Sequence, residues 1–304
     1  MASITSRPPP GVSPSAASTS VSALSASTIP TSVESTQDND PPTMRFTTAK
    51  DLFDVINSTT GDFLTVTSVS PIDFTKIERA REKQGRRFRF RDYDSNSQIL
   101  IITIPTDLHE KLHKLLYDEF VGQVRDMGLK KSWNNIGNAT RSTQGHSGRS
   151  SKEGDSTGGP KPQRATKGAW PTLVIEAGFS QSLGKLHIVM QRWFSMSNHE
   201  VKIVLLTKFN GAIILLEKWE EEIQVRPGAT TTRHSLQHPA SVLRQSITIT
   251  RNSTTNPTSY NVTSGALVLS FQILFLRDPG PGEGDFIFSV RELEEYAEEV
   301  WAQV

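Results

Sequence analysis

The stretch "WPTLVIEAGFSQSLGK", residues 170–185, restricts the folds open to this chain more than any other. Its apolar run passes directly into a helical pattern, so it reads as a short strand running into a helix. Glu176 stands in the middle of the run. An ionised carboxylate between Ile175 and Ala177 loses its hydration, so a cation, a hydrogen-bond network or a metal ion has to compensate it.

The surrounding chain supplies the rest of an α/β pattern. A short helix at "TAKDLFDVINS" and a strand at "GDFLTVTSV" lead to a helix at "PIDFTKIERAREKQG", with Pro71 near its start and Gly85 at its stop. "RRFRFRDYDSNSQILIITIP" reads as a hairpin turning at Asp94 to Ser97, with Arg87, Arg89 and Arg91 on one face and Phe88 and Phe90 on the other. That arginine row suits an exposed strand face or a grip on phosphate. The helix 106–127 is the clearest in the chain: Leu108, Leu112, Leu115, Leu116, Phe120 and Val124 recur at helical spacing behind the N-cap Thr106. Residues 132–168, rich in Gly, Ser and Lys, read as a loop with one or two short strands. Beyond the central strand come a helix at 180–197, strands at "HEVKIVLLTKF" and "GAIILLEKW", and a polar loop at 226–240. Strands around 242–251 and 265–276 and a final helix, "SVRELEEYAEEVWAQV", complete the chain.

Residues 1–45 are almost entirely Ser, Thr, Pro and Ala with a few acids, and cannot bury enough apolar surface to offset ordering entropy. They are expected to be a disordered tail, with 46–304 forming one α/β domain: a core over about 86–222 and a C-terminal strand-and-helix extension over 223–304. The start "MASITSRPPP" lacks the pattern of a secretory signal, so an intracellular protein, nuclear or cytoplasmic, is expected. The N-x-Ser/Thr triplets at Asn57, Asn138, Asn252 and Asn261 then read as chance matches. The longest apolar stretch, "GALVLSFQILFL", is too short to cross a bilayer, so no membrane partner is expected. The absence of cysteine excludes disulfides, thiolate zinc sites and cysteine nucleophiles.

A net charge of +1 argues against a uniformly basic nucleic-acid binder. The charge is nevertheless uneven: Arg141, Arg149, Lys152, Lys161, Arg164 and Lys167 face only Glu153 and Asp155 within 141–168, a local patch able to attract phosphate. Asp155 is also the nearest acid upstream of Glu176 in a plausible strand or turn. Two carboxylates on adjacent strands make an oxygen-ligand pocket suited to Mg²⁺ or Mn²⁺, which would compensate Glu176 and activate a water for attack on a phosphodiester.

At this point the sequence resembles a known group. The order helix, strands, helix, strand, with an Asp and then an acid inside a strand, looks like the PD-(D/E)xK, or restriction-endonuclease-like, superfamily. More closely, "IPTDLHEKLHKLL", "SKEGDS", "WPTLVIEAGFSQS" and "HEVKIVLL" resemble a restriction-endonuclease family of mostly uncharacterised bacterial proteins and its fungal relatives, over roughly residues 86–222. The resemblance implies a central mixed sheet flanked by helices and metal-dependent hydrolysis of DNA. It assigns Asp155 and Glu176 as metal ligands and Glu110 as an accessory ligand or base, with His109 matching a common histidine. Gly178 stands where the motif calls for lysine. The resemblance points to Lys185 on the next helix as the replacement cation, with Gln181 as a polar alternative. A literal E-x-K at Glu200-Val201-Lys202 offers a rival register, separated from Glu176 by a helix.

Simpler readings stand beside these. Glu176 could pair with Lys185 or Arg192, Asp155 could stabilise a turn, and Glu110 could favour the positive end of its helix. Trp193, Phe194 and Trp219 read as core or interface aromatics, and His234 and His238 as surface residues of a loop. The expected function is a Mg²⁺- or Mn²⁺-dependent DNA endonuclease. The alternative is a catalytically degenerate module that binds nucleic acid or a protein partner. The oligomeric state is open.

Overall fold

A computed structural model describes residues 42–85, 88–137, 139–145, 148–223 and 239–304. Residues 1–41, Arg87, Asn138, the loop 224–238 with His234 and His238, and the side chain of Arg149, for which the sequence raised expectations, lie outside the described residues. In chain order the elements begin with β1 (Thr43–Arg45), α1 (Ala49–Ser58), β2 (Phe63–Thr67), α2 (Pro71–Lys83), β3 (Arg89–Asp94), β4 (Ile99–Thr103) and α3 (Asp107–Asp126). They continue through β5 (Trp133–Asn135), β6 (Arg141–Gly145), β7 (Gly148–Lys152), β8 (Ser156–Pro160), β9 (Leu173–Gly178), α4 (Leu183–Met196) and β10 (Ile203–Phe209). The last are β11 (Ile213–Ile223), β12 (Pro239–Asn252), β13 (Ser259–Val262), β14 (Leu267–Leu269), α5 (Phe271–Phe275), β15 (Phe286–Phe288) and α6 (Val290–Trp301).

The fold is α/β, with mixed sheets flanked by helices. The larger sheet runs β13-β12-β11-β10-β9-β8-β5, with β9 and β10 parallel and the other neighbours antiparallel. Its buried central strand is the apolar run of the sequence. Alternation sends Leu173, Ile175 and Ala177 into the core shared with α3, α5 and α6, and Val174 into a second core under α4. Glu176 shares the face of Val174, beneath α4.

The hairpin carrying the arginines joins a different sheet. That sheet, β1-β2-β4-β3-β7-β6, has its own core of α1 and α2 residues packed against β2, β3 and β4. Thr48, Ser70 and Thr106 cap α1, α2 and α3 through their side chains, and Ser289 forms a capping box with Glu292 on α6. In the turn of the β3–β4 hairpin, Asp94 accepts from Asn96 N at 3.1 Å and Ser97 Oγ at 2.8 Å.

Three readings need correction. The tail expected over 1–45 reaches too far, because Thr43–Arg45 form β1 beside β2 and Met44 packs on the first sheet's core. The expected strand over 265–276 is only β14 followed by α5, because Phe271, Leu274 and Phe275 are buried at helical spacing and Leu276 ends the turn at φ 57°. Among the described residues, the Gly-rich stretch 132–168 holds four short strands, two of which, β6 and β7, cross over to the first sheet.

Gly158 shows why β8 lacks an apolar signature. A Cβ at this position would lie 2.5 Å from Trp133 Nε1 and 2.5 Å from Tyr117 Oη, two buried groups that hydrogen-bond each other at 3.1 Å. Neither ring can retreat from a packed core. Gly158→Ala is therefore expected to destabilise the protein by about 3 kcal/mol, combining overpacking with a strained hydrogen bond. Denaturant unfolding would measure it; a loss under about 1 kcal/mol, an ordinary value for a tolerated core change, would refute this packing account.

Candidate functional site

Strand register assembles the site. Ser156 pairs with Ile175, so Asp155, one step earlier, stands opposite Glu176. Asp155 Oδ2 accepts from Ala177 N at 2.9 Å, which fixes its carboxylate against β9. The first sheet supplies the cations. In β3 the pairing with β4 skips Arg91: Phe90 pairs with Ile102 and Asp92 with Ile101. This bulge keeps Phe90 and Tyr93 in the first sheet's core while Arg89 and Arg91 both point into the layer between the two sheets.

Arg91 answers the question that Glu176 poses. Its Nε and Nη2 lie 2.9 and 2.7 Å from Glu176 Oε2, and Nη2 is 3.6 Å from Asp155 Oδ2. Gln181 Oε1 and Ala177 O accept its remaining bonds at 2.5 and 2.8 Å. Trp193 Nε1 donates to the other Glu176 oxygen at 2.5 Å. Arg91, Glu176, Gln181 and Trp193 are all buried. Burial and the neighbouring Asp155 push the Glu176 carboxyl up against the pull of Arg91.

Arg89 repeats the arrangement one turn of the pleat away. Its Nη1 reaches Asp155 Oδ1 at 3.1 Å, and its Nη2 reaches Glu110 Oε1 at 2.6 Å. Lys114 meets the other Glu110 oxygen at 2.5 Å. The histidines of α3, four residues apart on one face, complete the layer. His109 Nδ1 bonds Asp62 Oδ2 at 2.9 Å, while its Nε2 lies 3.2 Å from Asp155 Oδ1 in an ion-pair contact out of line for a hydrogen bond. Burial pushes this imidazole down, but Asp155 and Asp62 outweigh it and raise the pKa to about 9. His113 Nδ1 meets Ser156 Oγ at 2.8 Å, and burial pushes its pKa down. Asp62 also accepts from Phe179 N at 3.0 Å, from Ser180 N at 2.9 Å and from Ser180 Oγ, which ties the loop after β9 to the start of β2.

The structure thus brings Asp155, Glu176 and Glu110 into one layer and gives each a guanidinium partner. Lys185 sits in the first turn of α4 and, among the described residues, makes no hydrogen bond or ion pair to these acids. Gly178 lies close against α4: a Cβ there would meet Leu186 Cδ1 at 3.0 Å, so any side chain requires the leucine to give by a few tenths of an ångström. Glu176 pairs with neither Lys185 nor Arg192; Arg192 binds Asp92 at 2.5 Å. Arg89 and Arg91, the described members of the arginine row, form neither an exposed face nor one open to phosphate, since their side chains are 11% and 2% exposed. Glu200 bonds Arg164 at 2.6 Å and Lys202 bonds His199 O at 2.8 Å, both before β10 begins and apart from the acidic layer.

No protein-family profile matches this sequence, and no curated protein is similar to it. The site has to be interpreted from its own chemistry. His109, His113 and Asp155 form a buried group whose ligand atoms lie within 4.8 Å of one another and could hold a metal ion. Two imidazoles and one carboxylate suit Mn²⁺ or a later transition metal better than Mg²⁺, which prefers oxygen ligands. The all-carboxylate set expected for Mg²⁺ does not fit as folded, because guanidinium groups hold its oxygens. Among the described residues no helix is long and apolar enough to cross a membrane.

The sequence reading missed Asp62, His113 and the inward role of Arg89 and Arg91. The signals were present: His109 and His113 recur at i, i+4, and each arginine alternates with a core phenylalanine.

Proposed function

We propose that this chain is a restriction-endonuclease-like module that binds nucleic acid without hydrolysing it. One observation carries the reading: Arg91 and Arg89, from a single strand, take up all three carboxylates that a nuclease would offer to a metal ion. With the motif lysine replaced by Gly178, neither the ion nor the cation that positions an attacking water has its usual place. The basic residues favour nucleic acid as the partner. Lys130, Lys131, Lys161 and Lys167 are exposed near the β5–β8 edge, where Lys161 N bonds Ser132 O at 2.8 Å. Among the described residues none of the four forms an ion pair.

A second reading, hydrolysis with Mg²⁺ or Mn²⁺, has one observation in its favour, the clustering of His109, His113 and Asp155. One experiment separates the two. The full chain is incubated with plasmid, single-stranded DNA and RNA in Mg²⁺ or Mn²⁺, and binding is followed by anisotropy. The expected result is no cleavage, with affinity for duplex falling about a hundredfold between 50 and 200 mM salt if four lysines contact phosphates. Changing the four lysines to glutamine should remove most of that dependence. Metal-dependent cleavage abolished by Asp155→Asn would establish the nuclease instead, and absence of binding would remove nucleic acid as the partner.

A further inference from the structure

The two histidines of α3 are presented as metal ligands usually are. Each has its Nδ1 engaged by an outer partner, Asp62 for His109 and Ser156 for His113; Nε2 of His109 lies 3.2 Å from Asp155 Oδ1, and Nε2 of His113 lies 3.4 Å from Glu110 Oε1. Outer hydrogen bonds of this kind fix the tautomer and aim of a ligating imidazole. His109 Nε2 is buried with Asp155 Oδ1 as its ion-pair partner. The other cation at these groups is Arg89. Its Nη1 lies 3.1 Å from Asp155 Oδ1 and 3.4 Å from His113 Nε2, while Nη2 holds Glu110.

We infer that Arg89 holds the place of a transition-metal ion, and that His109, His113 and Asp155 form a latent divalent site with Glu110 at its mouth. A divalent ion entering the site displaces the Arg89 guanidinium and takes over its place against Asp155 and Glu110. The exit for Arg89 also exists: its side chain and that of Glu110 are 11% and 19% exposed, whereas the other three ligands are sealed. Nitrogen-rich ligation selects Co²⁺, Zn²⁺ or Mn²⁺ over Mg²⁺. Arg91 stays in place, because Glu176, Gln181 and Ala177 hold it independently of this cage. The inference concerns occupancy of the cage alone and stands or falls separately from nucleic-acid binding.

Co²⁺ titration of the purified full chain, followed by its visible ligand-field bands and by the melting temperature, tests it. Arg89→Gln is expected to bind Co²⁺ at least tenfold more tightly than wild type, with excess Mg²⁺ failing to displace it. Adding His113→Gln to that variant should abolish the bands while the far-UV spectrum stays unchanged. Should Arg89→Gln not fold, Arg89→Lys carries the test, since it keeps a cation at the site but has a shorter reach; it too should bind Co²⁺ more tightly than wild type. Equal or weaker binding by the folded Arg89 variant, or bands that survive loss of His113, would overturn the inference.

Discussion

Arg91→Met is expected to cost about 3–5 kcal/mol of folding stability, the range for removing one partner of a buried ion pair. The size of the effect follows from what remains. Without the guanidinium, Asp155 keeps Arg89 and His109, but Glu176 is left a buried carboxylate with Trp193 Nε1 as its remaining donor. It must take up a proton or drag water into the layer, and Gln181 Oε1 and Ala177 O lose their donor as well. Against a total stability of about 5–15 kcal/mol, this change alone brings the protein close to unfolding. Chemical denaturation would show it, and a loss below about 1 kcal/mol, as for an exposed pair, would mean that Arg91 is not the compensating charge.

The second large effect is a pH dependence set by His109. Its pKa is raised to about 9 in the folded protein, from an ordinary value of 6.5. The folded state therefore holds the proton more tightly. This contribution, about 3 kcal/mol, is fully present below pH 6.5, declines from there, and is lost once the pH passes 9. The buried Lys152 titrates with the opposite sign, because burial lowers its pKa. The informative quantity is thus the difference between wild type and His109→Gln. Unfolding free energies measured at pH 6 and pH 9.5 should fall by about 3 kcal/mol more in wild type than in the variant. Parallel pH profiles would show that His109 is neutral in the folded protein.

The outline of the larger sheet was legible because its strands and helices carry periodic apolar residues. The run around Ile175, the leucines of α3 and the β10–β11 hairpin follow rules that one sequence states directly. Asp155 and Glu176 could be placed together because an acid inside an apolar strand stands out. Their partner could not be found the same way. Arg91 belongs to another sheet, and although it alternates with Phe90, no local pattern announces that this sheet lays its arginine face on Glu176. Asp62 is hidden for a similar reason, since it reaches His109 and the loop after β9 from the start of β2. β8 was invisible for the opposite reason: Gly158 is demanded by the close approach of Trp133 and Tyr117, and Gly159 by that of Arg164, rather than by any apolar face. At 265–276 the spacing of Phe271, Leu274 and Phe275 marks a helix that a long apolar run disguised as a strand.

The central claim is that an arginine, rather than a metal ion, compensates the carboxylate buried in the central strand. A double-mutant cycle between Arg91 and Glu176 tests it most directly, with unfolding free energies measured in the presence of a chelator for wild type, Arg91→Met, Glu176→Gln and the double variant. The account predicts strong coupling, about 2–3 kcal/mol. The double variant should be far more stable than the sum of the single losses implies, and should fold even if Arg91→Met alone does not. Losses that simply add, or a wild type that the chelator itself destabilises, would contradict it.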